Sequence, residues 1–156
     1  MPSTRRAFIK QSLASSVYAS IISSGLLTTT DLQAAWIPEN FSPATLTDTL
    51  TKMYHNADMT DSEAITLKVP RVAENGAVVP VTVSSSLPNV SEITLFVAKN
   101  PTPLSVIFKL SPTMEAFVSA RIKMAETCNV IAVVNSDGKL YKTHQEITVT
   151  IGGCGG

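Results

Sequence analysis

Residues 75–83 read Asn75-Gly76-Ala77-Val78-Val79-Pro80-Val81-Thr82-Val83. An Asn-Gly pair running into valines and a threonine is a turn signal feeding a β-branched run, the chemistry of a strand and not of a helix. Asn75-Gly76 predicts a tight hairpin, because both residues reach positive φ at little cost. Pro80 offers no N–H to a ladder, so its strand is expected at a sheet edge or at a bulge.

The same pattern extends outward in both directions. From Ile65 onward the hydrophobic period is close to two, and segments 65–69, 78–83, 93–97, 106–110, 117–124, 130–134, 140–142 and 147–151 all have strand character. Between them Pro88-Asn89 and Asn100-Pro101-Thr102-Pro103 mark loops, and Asp137-Gly138 is a second strong hairpin signal. Roughly eight short strands with no helical pattern between them predict an all-β fold, an immunoglobulin-like antiparallel β-sandwich. Upstream the period changes. Ser42-Pro43-Ala44 reads as a helix start with Ser42 as N-cap, and Leu46, Leu50, Met53 and Tyr54 place an apolar stripe on a short N-terminal helix ending near His55. That stripe is read as core packing, and 56–62 as a polar loop.

The 156 residues suit one folded domain, and a 44% hydrophobic content is enough to bury a core. Twelve basic residues balance twelve acidic ones, so no electrostatic footprint for nucleic acid is present. The first residues carry a separate message. Thr4-Arg5-Arg6-Ala7-Phe8-Ile9-Lys10 precedes a serine-dotted apolar run, a pattern that resembles the twin-arginine export signal of bacteria with Arg5 and Arg6 as its pair. Ser12, Ser15, Ser16, Ser20, Ser23, Ser24 and Gly25 make the run too polar for a stable membrane span. Cleavage is expected near Gln33-Ala34-Ala35, which divides the chain into a signal at 1–35, a helix-plus-sandwich domain at 36–151 and an arm at 152–156. Removing Arg5, Arg6, Lys10 and Asp31 leaves nine bases against eleven acids, a formal charge of about −2 for a periplasmic protein. The twin-arginine route carries folded cargo, and with no cofactor motif in sight a partner chain is the expected reason for using it.

The arm reads Gly152-Gly153-Cys154-Gly155-Gly156. Glycines around one thiol make a flexible tether, which from Ile151 reaches roughly 17 Å at about 3.4 Å per residue. No His, Lys or Arg neighbours Cys154 in sequence, so nothing local lowers a thiol pKa from about 8.5. Such a thiol is better suited to carrying a group than to activating itself. Cys128, just before an apolar strand, is expected to be a buried small thiol, with a disulfide to Cys154 as its alternative. A prenylation box fails because Cys154 is third from the end. A ubiquitin-like terminal Gly-Gly is set aside because export removes the chain from ATP. His55 and His144 stand apart without metal-ligand spacing, Met53, Met59, Met114 and Met124 do not cluster, no glycine loop opens a helix, and no Gly-x-Ser-x-Gly elbow occurs. Neither catalytic nor metal residues are assigned, and no cofactor is expected.

Gly152 to Gly156, the segment Ala73-Glu74-Asn75-Gly76-Ala77-Val78-Val79-Pro80-Val81, the stretch from Glu92 to Pro103 with Lys99-Asn100-Pro101, and Phe117-Val118-Ser119-Ala120-Arg121-Ile122-Lys123-Met124 together resemble the SoxY family of periplasmic sulfur carriers. Cys128 is not part of the family motif. The resemblance implies a non-enzymatic carrier of thiosulfate oxidation whose Cys154 holds sulfur intermediates, with Gly152, Gly153, Gly155 and Gly156 as the flexible arm. It also implies a heterodimer with a SoxZ-like chain that has no export signal of its own. A SoxXA-type haem enzyme would load thiosulfate as a cysteine S-thiosulfonate, and a SoxB-type hydrolase would release sulfate and leave a persulfide. In systems that contain one, a sulfane dehydrogenase acts next. The competing reading is a non-catalytic periplasmic binding or scaffold module whose C-terminal cysteine forms a disulfide. A thiol oxidoreductase is disfavoured because no Cys-x-x-Cys pair is present.

Overall fold

The structure, a computed structural model, describes residues 38–151, all in the unit that begins at Ile37. The expected signal with Arg5 and Arg6, its cleavage site, and the arm residues Gly152, Gly153, Cys154, Gly155 and Gly156 lie outside the described residues. A 3-10 turn at Pro38–Phe41 leads to one helix, α1 (Leu46–Tyr54). Nine strands follow: β1 (Met59–Asp61), β2 (Ile65–Lys68), β3 (Val72–Ala73), β4 (Val79–Ser85), β5 (Val90–Val97), β6 (Leu104–Lys109), β7 (Phe117–Ile122), β8 (Cys128–Ser136) and β9 (Lys139–Val149).

They form two sheets, one ordered β1-β9-β8-β5-β6 with β3 also on β9, the other β2-β4-β7. Val79, Val81, Val83, Val118 and Ile122 from the small sheet meet Ile93, Leu95, Val97, Val130, Ala132, Val134 and Ile147 from the large one in a single buried cluster. Alternate residues of each strand supply that cluster, as period-two patterning requires. The outer face of the large sheet is covered as well. Leu46, Leu50, Met53 and Tyr54 pack on Phe96, Leu104, Val133 and Leu140, which is why β5 is buried on both faces through its second half. The apolar stripe on α1 thus does what its spacing predicts.

A polar clamp holds the end of α1. The Tyr54 hydroxyl donates to Glu92 Oε1 (3.4 Å), Thr94 Oγ1 donates to the same oxygen (3.0 Å), and Lys109 Nζ pairs with Glu92 Oε2. Burial, with a smaller contribution from the Glu92 carboxylate, pushes the Tyr54 hydroxyl well above its ordinary pKa. The neutral phenol therefore remains a donor throughout the physiological range.

Several sequence expectations need correction. The helix is capped by Thr45, not Ser42: Thr45 Oγ1 accepts from the Asp48 N–H (3.1 Å) and donates to the Asp48 carboxylate (2.7 Å), a reciprocal cap that Ser42 before Pro43 does not provide. The sandwich is not wholly antiparallel, because β1 and β3 both run parallel to β9. The 56–62 loop contains β1, and the two strands expected at 140–142 and 147–151 are one continuous β9. Asn75-Gly76 is no hairpin, since β3 and β4 belong to different sheets and the turn crosses between them.

Pro80 lies in the central strand of the small sheet, without a bulge. The Ser86 N–H reaches Ala64 O on the β2 side (3.0 Å), and N–H groups an even number of residues away share that direction. Strand β2 stops at Lys68, opposite Thr82. The N–H that Pro80 lacks therefore falls where no neighbour remains, and Pro80 costs the ladder nothing. The Asp137-Gly138 expectation holds: Ser136 pairs with Lys139 across a two-residue loop with φ of 52° and 75°, both in the left-handed region a type I′ turn demands.

Candidate functional site

The sheet topology brings the last described residues to one end of the sandwich. Strand β9 leaves the body there, and backbone groups from distant segments hold it. Thr148 N–H donates to Arg71 O (3.0 Å), Thr150 N–H to Ala73 O (3.1 Å), and Gly76 N–H to Ile151 O (2.8 Å). On the other side Thr127 Oγ1 accepts from the Val149 N–H at 2.9 Å, and Thr150 Oγ1 donates to Glu74 O at 3.0 Å. The chain is thus pinned as far as Ile151, whose side chain is exposed.

The crossing turn is pinned too. Asn75 Oδ1 accepts from the Ala77 N–H (2.8 Å), which shapes the turn locally, while Gly76 O accepts from the Met124 N–H (2.7 Å). Asn100 adds a further tie, with Nδ2 donating to Lys123 O (2.8 Å) and Oδ1 accepting from the Ala125 N–H (2.9 Å). Segments around residues 71–76, 98–100, 123–128 and 148–151 therefore form one hydrogen-bonded platform. Each bond in such a platform contributes about 1 kcal/mol net, and leaving a buried partner unpaired costs more.

Cys128 opens β8 beneath this platform, paired with Ile147 and 4% exposed. It is a free thiol inside the main core. Burial pushes its pKa up, partly opposed by the Lys99 and Ala98 backbone amides. A neutral, inaccessible thiol is neither a nucleophile nor a carrier, in keeping with the small apolar role expected of it. His55 ends α1 in the left-handed region and His144 sits exposed on β9, far from any ligand set. Among the described residues no group of His, Cys, Asp or Glu side chains could hold a metal ion, and no helix is long and apolar enough to cross a membrane.

The residues that sequence reasoning did not single out are Thr127, Thr150, Asn100 and the Asn75-Gly76 crossing. The Asn-Gly pair was visible as a turn. Its partners, roughly 50 to 75 residues away along the chain, were not.

The family model for the sulfur oxidation protein SoxY matches residues 50–154. The solved sulfur carrier protein SoxY from Chlorobium limicola f thiosulfatophilum is 40% identical, with a TM-score of 0.62, over 69% of this chain and 97% of that one. A superoxide reductase (neelaredoxin) from Ignicoccus hospitalis superposes with a TM-score of 0.50 at 18% identity, over 56% of this chain and 80% of its own, a likeness of fold alone. No curated protein matches the chain. A family match over most of the folded domain, together with a relative of this identity, makes the chain a member of the SoxY family of sulfur oxidation proteins.

Proposed function

We propose that the protein is a covalent sulfur carrier of thiosulfate oxidation, with Cys154 as its attachment point. The observation that carries this reading is the contrast between the two thiols. Cys128 is sealed in the core, whereas Cys154 follows the last pinned residue by three positions, between glycine pairs. The rigid platform supports the role by giving a short arm a fixed origin.

The chemistry places few demands on the carrier. Coupling its thiol to thiosulfate forms an S–S bond, releases one proton and passes two electrons to an oxidising partner, of the SoxXA haem type. Hydrolysis of the resulting S-thiosulfonate by a SoxB-type partner expels sulfate and leaves a persulfide on Cys154. A sulfane dehydrogenase, in systems that contain one, oxidises that remaining sulfur. The carrier contributes a thiol that slips into several differently shaped sites, and Gly152, Gly153, Gly155 and Gly156 keep the arm slim enough to do so. Export to the periplasm through Arg5 and Arg6, in company with a SoxZ-like subunit, completes the reading.

Thiosulfate-dependent oxygen uptake by a strain carrying single variants tests it. Cys154→Ser is expected to abolish uptake, while Cys128→Ala retains it at growth temperatures where the variant stays folded. Uptake that survives Cys154→Ser would overturn the proposal.

A further inference from the structure

The platform carries a charge pattern that the sequence around Cys154 does not reveal. Arg71 is itself a member, its carbonyl holding Thr148; Lys123 offers its carbonyl to Asn100, and Lys99 adjoins Asn100. Arg121 lies two residues before Lys123 at the end of β7, its side chain exposed opposite the buried Ile122. All four cations are exposed, and they face only two acids at this end, Glu74 and Glu126. Glu126 approaches Lys99 loosely, at 3.9 Å, and among the described residues Arg71, Arg121 and Lys123 have no ion-pair partner. The local surplus of about two positive charges stands against the domain as a whole, where nine bases meet eleven acids across residues 38–151.

We propose that this collar draws doubly charged sulfur oxyanions, such as thiosulfate, to the arm thiol. The inference rests on the carrier reading and deepens it, assigning to Arg71, Lys99, Arg121 and Lys123 the attraction that no neighbour in sequence supplies. The distances suit the role. Three residues separate Ile151 from Cys154, about 10 Å at full extension, which is about one Debye length at 0.1 M salt. A dianion at that range from two net positive charges is favoured on the order of tenfold at low salt and about threefold at 0.1 M. The collar raises the local concentration of the anion and leaves the redox step to the partner enzyme.

Tetrathionate and a neutral aromatic disulfide, 4,4′-dithiodipyridine, provide a test on the intact chain alone. The Cys154 thiolate displaces thiosulfate from tetrathionate by attack on an inner sulfur, leaving Cys–S–S–SO3⁻ with no net redox change, and it attacks the neutral disulfide by the same exchange. The ratio of the two rate constants, read by mass at the C-terminal peptide, cancels any change in thiolate fraction. As ionic strength rises from about 10 mM to about 0.5 M, the collar predicts that this ratio falls on the order of tenfold, whereas the negative whole-domain charge predicts that it rises. At low salt, Arg71→Gln, Lys99→Gln, Arg121→Gln and Lys123→Gln combined should lower the ratio by a similar factor, and Lys52→Gln with Lys139→Gln should leave it unchanged. The salt series on the unmodified chain keeps the test valid if the fourfold variant does not fold. A ratio that is flat or rises with salt, or one that falls equally in the control variant, overturns the collar. The carrier reading would survive that result, since it is scored by sulfur bound to Cys154 in cells.

Discussion

The two ends of the sandwich are closed by different means. At one end β8 passes into β9 through Asp137 and Gly138, two residues whose positive φ values complete the turn locally. At the other, no loop is self-sufficient: Gly76 holds both Ile151 and Met124, Asn100 holds Lys123 and Ala125, and Thr127 holds Val149. The first end folds from its own sequence, while the second exists only once strands from both sheets are in place. An arm that must start from a fixed point is thus attached where the domain's cooperativity is concentrated, and the locally closed end is left free to vary.

Matched substitutions should expose this difference. Asn100→Ala removes two hydrogen bonds from the platform and is expected to destabilise the protein by about 2 kcal/mol in urea unfolding. Asn89→Ala, which loses one exposed bond to Asp137 at the hairpin end, should cost no more than about 0.5 kcal/mol. Equal losses at the two sites would contradict the proposed contrast. Gly138→Ala comes next, at about 1 kcal/mol, because a φ of 75° strains any Cβ although the space around it is open. It should leave amide exchange at Thr148 and Thr150 unchanged relative to global unfolding.

Thr127→Val sharpens the comparison from the arm side. Its stability cost should be about 1 kcal/mol, with selectively faster hydrogen exchange at Val149, Thr150 and Gly76. A uniform change across the domain would mean that the platform does not open as a unit. The smallest effect concerns pH. The Cys128 thiol is raised in the folded state relative to about 8.5 in the unfolded chain, so its contribution is intact below that value and declines as pH rises from there toward the folded pKa. Cys128→Ala should flatten urea midpoints measured between about pH 8.5 and 10, while the steeper alkaline loss from Tyr54 begins only above about 10.

The same division explains what could be read from the chain. Asp137-Gly138 and the Leu46, Leu50, Met53 and Tyr54 stripe were legible because their determinants lie within one turn or one helix. Pro80 was misplaced because its tolerance depends on where β2 ends, and Asn75-Gly76 because a turn signal does not say which sheets it joins. Strand β9 was divided because Thr143, His144, Gln145 and Glu146 are polar on the part of its edge that neither β1 nor β3 covers. The glycine-flanked thiol announced itself in sequence. Its platform did not, since every bond that builds it links distant segments.

Mass spectrometry of the non-reduced C-terminal peptide from cells grown on thiosulfate tests the central claim most directly. The carrier account predicts S-thiosulfonate and persulfide masses on Cys154 that disappear on reduction, with Cys128 unmodified. A Cys154 found only as a free thiol or only in a protein disulfide would contradict it.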